Sequence, residues 1–205
     1  MKKKTVTLAA GATALAAAAG AVWWFTDTAP YPYDKRRLLD LPLPFLRAAD
    51  IDRALDPADG ERMLEIGPGT GLQSLHVAPQ LGCQGRLDIV DIQQKMLDHV
   101  QKRAADAEIS TIHGTRADAT CMPFDAGTFD AVYLVTTLGE IGAPRESLTE
   151  FHRVLRPGGR LVVGEFFDRH WIPFGRLRSY ADDCGFQLQE RHGPTVAYLA
   201  TFVRS

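Results

Sequence analysis

Three glycines stand at alternate positions after a short apolar segment that is typical of a β-strand: Gly67, Gly69 and Gly71. Glycine accepts positive φ angles and lets the backbone approach a ligand closely, so this loop predicts a binding site. The dinucleotide fingerprint needs a third small residue at position 72, where this chain has Leu72. Glu65 precedes the loop, and its carboxylate would repel a pyrophosphate but attract an ammonium or sulfonium. The pattern therefore disfavours a nicotinamide cofactor and favours a ligand with positive charge.

The loop must be held by a regular scaffold, and from about residue 44 the sequence alternates strand and helix patterns. The predicted strands are 63–66, 87–91, 109–113, 130–135, 160–166, 186–191 and 195–203. The predicted helices are 45–55, 70–81, 93–105, 145–155 and 174–184, and the breaker cluster 156–159 predicts a turn. Only three residues separate the last two strands, too few for a crossover. The predicted fold class is α/β, a Rossmann-like doubly wound sheet of seven strands with the last strand antiparallel, plus an N-terminal hydrophobic helix.

A second carboxylate, Asp91, ends the predicted second strand, 20 residues after Gly71. That spacing suits a carboxylate at the tip of the neighbouring strand. Asp91 and Glu65 would then flank the glycine loop.

Four segments resemble, in this order, the motifs of the class I S-adenosylmethionine-dependent methyltransferases: LEIGPGTG, DIVDIQQKML, RADATCMPFDAGTFDAVYL and EFHRVLRPGGRLVVGE. They cover about residues 60–203, nearly all of the globular part. The resemblance implies S-adenosyl-L-methionine as the cofactor, with the glycine turn under its methionine part, Asp91 on the ribose and Asp118 beside the adenine amine. The cofactor-binding residues that it implies are Glu65, Gly67, Gly69, Gly71, Asp91, Ile92, Asp118, Ala119 and Val135.

The acceptor of the methyl group should meet side chains at the ends of the fourth and fifth strands. Glu140 and His170 follow those strands and are the predicted catalytic residues, which contact or deprotonate the acceptor. The alternative is that both are solvated loop residues. The Asn/Asp-Pro-Pro-Tyr/Phe signature is absent after the fourth strand, which disfavours methylation of nucleobase or glutamine nitrogens.

The first 25 residues differ in composition from the remainder, since residues 5–25 carry no charge and end on paired tryptophans. They predict a membrane anchor, with a cleaved signal or a surface-lying helix as alternatives. Residues 26–43 predict an extended linker, and residues 44–205 the methyltransferase domain. Lys2 to Lys4 favour a cytoplasmic N-terminus, and Lys35 to Arg37 oppose export of the domain. We expect a membrane-associated protein with its catalytic domain facing the cytoplasm.

Net charge and cysteine content disfavour other classes of function. The charge is −2, and no basic run beyond the first few residues could follow a phosphate backbone, so nucleic acid is not an expected partner. The three cysteines are far apart and form no C-x-x-C pair, so we expect neither a disulfide framework nor a metal site.

The predicted function is methyl transfer to a small, lipophilic or membrane-associated acceptor such as a lipid or quinone. A different class stays open, namely a catalytically silent, membrane-attached assembly factor that binds S-adenosylmethionine. An oxidoreductase is the third reading, and Leu72 disfavours it.

Overall fold

The computed structural model describes residues 29–40 and 47–205. A seven-stranded sheet in the order β3-β2-β1-β4-β5-β7-β6 forms its centre. The strands are β1 Arg62–Ile66, β2 Arg86–Asp91, β3 Ile112–Arg116, β4 Phe129–Val135, β5 Leu155–Phe166, β6 Phe186–His192 and β7 Ala197–Arg204. The α-helices are α1 Ala48–Leu55, α2 Ser74–Val77, α3 Gln94–Asp106, α4 Pro144–Val154 and α5 Phe174–Asp183. Three 3-10 helices span Tyr33–Asp40, Ala78–Leu81 and Leu138–Glu140.

The strand directions confirm the predicted sheet. Strands β1 to β5 pair in parallel, and β7 runs antiparallel to both β5 and β6. The chain moves outward from β1 through β2 to β3 and then returns to β4 on the other side of β1. The carboxyl ends of β1 and β4 therefore form a topological switch point, where open α/β sheets bind their ligands.

Two apolar layers cover the faces of the sheet, because successive side chains of a strand point to opposite faces. On β4, Val132 and Leu134 pack into one core cluster, whereas Ala131 and Tyr133 pack into the other. Burial on both sides explains the nearly continuous apolar sequence of this strand.

Strand β3 begins three residues later than predicted, at Ile112. Residues 107–109 close helix α3 instead: Glu108 has a φ of 58°, and the N–H of Ile109 donates to the carbonyl of Ala104 at 2.9 Å. Ile109 still packs against the core, which accounts for its apolar character.

The breaker cluster 156–159 forms a bulge within β5 instead of the predicted turn before it. Leu155 already pairs with Phe129, and the register resumes where Arg160 pairs with Ala131. Gly158 has a φ of 72°, which allows the extra residues to loop out without ending the strand.

The predicted helix 70–81 is shorter and divided, because the glycine turn extends to Gln73 and a 3-10 turn containing Pro79 follows Val77. The predicted extended linker was wrong for residues 33–40, which form a 3-10 helix. The predicted N-terminal hydrophobic helix lies outside the described residues, as do residues 45 and 46 of the first predicted helix. Across residues 29–40 and 47–205, no helix has the length and apolar character that crossing a bilayer requires.

Candidate active site

A cavity of about 540 Å³ lies at the switch point, at the carboxyl ends of β1, β2 and β4. Most of the predicted site residues line it: Glu65, Gly67, Gly69, Asp91, Ile92, Asp118, Ala119, Val135 and Glu140. Gly71 and His170 do not line the cavity but lie behind its wall. The fold thus brings together residues that are up to 75 positions apart in the sequence, from Glu65 to Glu140.

The glycine turn allows three neighbouring segments to approach each other. Gly67 has a φ of 64°, and a Cβ there would lie 2.4 Å from Cγ2 of Thr137 in the loop after β4. At Gly71 a Cβ would lie 2.8 Å from Val100 of α3, and at Gly69 it would lie 3.1 Å from Leu39. Gly67 and Gly71 therefore permit close packing within the protein, and Gly69 permits Leu39 to approach the turn.

Glu65 borders the cavity but is 3 % exposed. Its Oε2 accepts hydrogen bonds from the hydroxyls of Ser74 and Tyr133, the second at 3.0 Å. Burial raises the pKa of Glu65 to about 7, and these two hydrogen bonds oppose that rise. One oxygen of the Glu65 carboxylate thus accepts hydrogen bonds within the protein. Contact of Glu65 with a cationic ligand stays a prediction.

Asp91 ends β2 with its carboxyl group in the cavity wall. Its Oδ1 accepts a hydrogen bond from the N–H of Gln93 at 2.7 Å, and among the described residues it forms no salt bridge. Burial raises its pKa to about 6. Ile92 follows with an exposed apolar side chain at the cavity rim. A ligand that donates hydrogen bonds to Asp91 would stabilise its ionised form.

Asp118 and Ala119 lie beyond β3 at the far side of the cavity. The N–H and the hydroxyl of Thr120 both donate to Oδ1 of Asp118, at 2.9 and 2.7 Å, and they lower its pKa. Ala119 is buried in the adjoining wall. This fixed, ionised carboxylate can accept a hydrogen bond from an exocyclic amine, as the resemblance implies.

The two predicted catalytic residues form a pair. Oε1 of Glu140 lies 3.4 Å from Nδ1 of His170, and Oε2 accepts a hydrogen bond from the N–H of Tyr31 at 3.0 Å. Burial raises the pKa of Glu140 to about 7, and the nearby carboxylates of Asp168 and Asp91 add to the rise. Glu140 can therefore take up or release a proton near neutral pH.

Two further structural features surround this pair. Gly139 is needed because a Cβ there would lie 1.7 Å from the carbonyl oxygen of His170, so the loops after β4 and β5 touch through bare backbone. Glu165 lies beneath the pair, almost fully buried, with Oε2 accepting from the N–H of Ile172 at 3.1 Å. Burial raises the pKa of Glu165 well above its ordinary range. In the sequence, the signal for both features was a glycine that directly precedes an acidic residue at or near the end of a strand.

The segment 29–40 forms a wall of the cavity, which its reading as a linker did not anticipate. Tyr31 and Leu39 line the cavity, and the side-chain amide of Gln93 donates to the carbonyl of Tyr31 at 3.0 Å. Asp40 accepts a hydrogen bond from the hydroxyl of Thr70 at 2.7 Å. The pairs of tyrosines and leucines in this short segment were the only sequence signal of its packing.

Comparison with known proteins agrees with this geometry. A family model described as a methyltransferase domain matches residues 63–159, which include the glycine turn and β1 to β4. The demethylmenaquinone methyltransferase of Clavibacter sepedonicus is 39% identical over 115 residues, 56% of this chain and 44% of that protein. A ubiquinone/menaquinone biosynthesis C-methyltransferase of Ruegeria sp. (strain TM1040) is 33% identical over 144 residues, 70% of this chain and 56% of that protein. The matches span about half the length of these curated relatives.

Solved structures share the fold. A SAM-dependent methyltransferase from Aquifex aeolicus superposes with a TM-score of 0.76 at 16% identity, covering 85% of this chain and 98% of the other. The cyclase SpnF superposes with a TM-score of 0.69 at 19% identity, covering 77% and 79%. The predicted sheet, family and cofactor are confirmed by these findings together with the domain match. The chain belongs to the class I S-adenosylmethionine-dependent methyltransferase family.

Proposed function

We propose that this chain transfers a methyl group from S-adenosylmethionine to a carbon atom of a lipophilic, quinone-type acceptor beside a membrane. The observation that carries the proposal is one cavity that joins the cofactor-binding edge of the sheet to a buried carboxyl group, that of Glu140. The names of the curated relatives, which specify menaquinone and ubiquinone, support the class of acceptor.

The residues present fit the cofactor. The cavity has space in the range of ligand sites, and Gly67 and Gly69 present backbone without side chains to it. Asp91 offers a partly buried carboxylate without a basic partner among the described residues, which suits the two hydroxyls of a ribose. When bound, S-adenosylmethionine supplies an electrophilic methyl group on a sulfonium.

Glu140 is placed to take the proton that a ring carbon loses when it gains a methyl group. Burial raises the pKa of Glu140 to about 7, so its carboxyl group can exchange a proton near neutral pH. His170 contacts one oxygen of that carboxyl group, and the N–H of Tyr31 holds the other. These contacts fix the direction in which the carboxylate faces, while the cavity receives the acceptor.

Apolar side chains form much of the cavity lining and favour a lipophilic acceptor. Leu38, Leu39 and Ile141 line it together with Ile92 and Val135. Such walls exclude water from the reacting atoms and bind an apolar ring through burial of its surface.

Membrane association and orientation form part of the proposal. The uncharged segment 5–25 would attach the chain to the bilayer, and the domain would face the cytoplasm, where its cofactor is available. A fluorescent fusion is expected to report a membrane-bound, cytoplasmic domain. Fluorescence in the periplasm of a bacterial host, or cleavage near Ala19, would contradict this placement.

Incubation of the full chain with tritiated S-adenosylmethionine and total membrane extract tests the reaction. We expect label in the quinone fraction of the extracted lipids. Glu140→Gln is expected to lower kcat at least about 100-fold, as removal of a general base does, with cofactor affinity little changed. The exposed Glu146→Gln is the matched control and should retain activity. Label confined to protein or phospholipid would contradict the quinone acceptor.

A second candidate is a binding protein without methyltransferase activity, and the superposition with a cyclase favours keeping it, because the same fold occurs in a protein not named a methyltransferase. Cofactor binding in calorimetry without label in any fraction would support this candidate and contradict the first.

A further inference from the structure

Large apolar side chains that remain exposed are concentrated at one end of the described molecule. The most exposed of them are Leu38, Leu72, Ile92, Phe167 and Val196, at 45 to 56% exposure. Leu72 and Ile92 follow β1 and β2, Phe167 follows β5, and Val196 precedes the antiparallel β7. All of these positions lie at the carboxyl edge of the sheet, which is the edge that contains the cavity.

The apolar surface continues from this edge into the cavity. Leu38, Leu72 and Ile92 are exposed and also line the cavity. Phe167 and Val196 form a second patch, joined by a backbone hydrogen bond of 2.7 Å between the N–H of Phe167 and the carbonyl of Val196. A lipophilic molecule entering here would remain in contact with apolar groups.

Basic side chains stand beside these apolar residues. Lys35, Arg36 and Arg37 belong to the same 3-10 helix as Leu38. Arg116 donates from its Nε to the carbonyl of Ile92 at 3.1 Å. These four cations stand beside apolar groups of the edge, a combination typical of a surface that contacts anionic headgroups.

A cleft beside the 3-10 helix extends the positive surface. It is lined by Arg36, Arg37, His99, Arg103 and Asp40. Asp40 is occupied by Arg103, whose Nη1 lies 3.4 Å from Oδ1, and by the hydroxyl of Thr70. Arg37 and Arg36, which also donates from Nη1 to the carbonyl of Tyr33 at 3.2 Å, therefore supply the positive charge of the cleft.

We infer that the carboxyl edge of the sheet docks on an anionic bilayer, with Leu38, Leu72 and Ile92 in the headgroup boundary and the cavity mouth facing the lipid. The inference rests on the proposed function for the nature of the acceptor, which would enter the cavity without crossing water. Ala29, the first described residue, also lies at this edge, because its carbonyl accepts a hydrogen bond of 3.3 Å from Arg169, which follows the carboxyl end of β5. An attachment through residues 5–25 and docking of this edge would bring the same face to the bilayer.

Site-specific fluorescence on the full chain tests the docking. The chain has three cysteines, Cys83, Cys121 and Cys184. In the first variant all three are changed to Ser, and Leu38→Cys introduces a single labelling site. A second variant keeps only Cys83, an exposed thiol before β2 at the opposite edge, as the matched control. Each carries a polarity-sensitive label and is mixed with vesicles of phosphatidylcholine and phosphatidylglycerol whose acyl chains are brominated.

The label at position 38 is expected to be quenched at least about twofold, and the label at position 83 should be unchanged. Lys35→Glu with Arg37→Glu should reduce the quenching, whereas Lys102→Glu, in the last part of α3, should not. Vesicle binding without quenching at position 38 would overturn the inference, because residues 5–25 would then tether the domain without docking. Equal quenching at both positions, or quenching independent of phosphatidylglycerol, would also overturn it.

The test separates this inference from the proposed function. Methyl transfer to a short-chain quinol in detergent needs no docking, so it is expected to persist in the Lys35→Glu, Arg37→Glu variant. Failure of the unaltered chain to dock while it still methylates the quinol overturns the inference alone, and docking by a chain that methylates no quinol overturns the proposed function alone.

Discussion

Strand β2 carries two carboxylates three residues apart, Asp88 and the half-buried Asp91, and their surroundings at the two edges of the sheet differ. Asp88 is fully buried, and its oxygens lie 2.9 Å from Nε of Arg62 and 2.7 Å from Nη2 of Arg86. Asp91 has backbone hydrogen bonds but no arginine or lysine partner among the described residues. The charge of Asp88 is therefore balanced within the protein. The carboxylate of Asp91 can accept further hydrogen bonds from a ligand.

The same contrast holds on β4 and its continuation. Burial alone would raise the pKa of Asp130, but the N–H of Arg62 and the guanidinium of Arg156 lower it below the ordinary value. At the other end, burial raises the pKa of Glu65 and of Glu140 to about 7. The amino edge pairs its carboxylates with arginines, whereas Glu65 and Asp91, which border the cavity at the carboxyl edge, have no arginine or lysine partner among the described residues.

The comparison indicates that carboxylates important for stability and carboxylates important for function lie at opposite edges of the sheet. A buried carboxylate with strong donors stabilises the native state, while one that lacks them costs free energy until a partner binds. Groups with raised pKa values in a cavity are therefore candidates for function. Disruption of either edge should have a distinct consequence.

The largest expected effect follows from placing a side chain in the glycine turn of the carboxyl edge. Gly67→Ala forces a positive φ on alanine and a 2.4 Å approach to Thr137, so we expect a loss of about 3 kcal/mol in unfolding free energy. Urea denaturation measures it. Gly142→Ala, in the segment between the 3-10 helix Leu138–Glu140 and α4, is the control, since nothing lies within 4 Å of its Cβ position. Equal stability of the two variants would contradict the close packing.

The next effect concerns the amino edge. Asp88→Asn replaces a carboxylate that two arginines contact, so we expect a loss of about 2 kcal/mol in unfolding free energy. Affinity for S-adenosylmethionine should remain within about twofold, because Asp88 is remote from the cavity lining. Titration calorimetry on the same preparation measures the affinity for S-adenosylmethionine. A large loss of affinity would contradict the assignment of structural carboxylates to the amino edge and ligand-binding carboxylates to the carboxyl edge.

The smallest effect is a pH dependence at Glu65. Its pKa is raised in the folded state, so its contribution to stability is full below about pH 4.5 and is lost as the pH rises through about 7. Glu65→Gln removes that loss, so we expect the variant to exceed the wild type in unfolding free energy at pH 8 and to equal it at pH 4. Thermal unfolding at both pH values should show a higher Tm of the variant at pH 8 only.

The parts of the fold that could be predicted are those in which local sequence and burial agree. Strands β1, β2 and β4 were placed within one residue because each is an apolar run bounded by turn residues. The pairing of Glu140 with His170 was also within reach, because adjacent parallel strands bring their carboxyl ends together.

Other features depend on contacts that no local pattern encodes. Tyr31 reaches Glu140 across 109 positions, and the hydroxyl of Tyr133 meets Glu65 across 68. The start of β3 was misplaced because Ile109 is apolar for packing at a helix end and not for strand pairing. Tertiary packing determines these two contacts and the start of β3. The cavity wall formed by residues 29–40 could therefore be recognised only in the structure.

Titration calorimetry of S-adenosylmethionine on Asp91→Ala tests the central claim most directly. The account predicts affinity at least about tenfold weaker than in the wild type, equal to about 1.4 kcal/mol, with unfolding free energy unchanged or increased. Unchanged affinity in the folded variant would contradict the assignment of the cavity as the cofactor site.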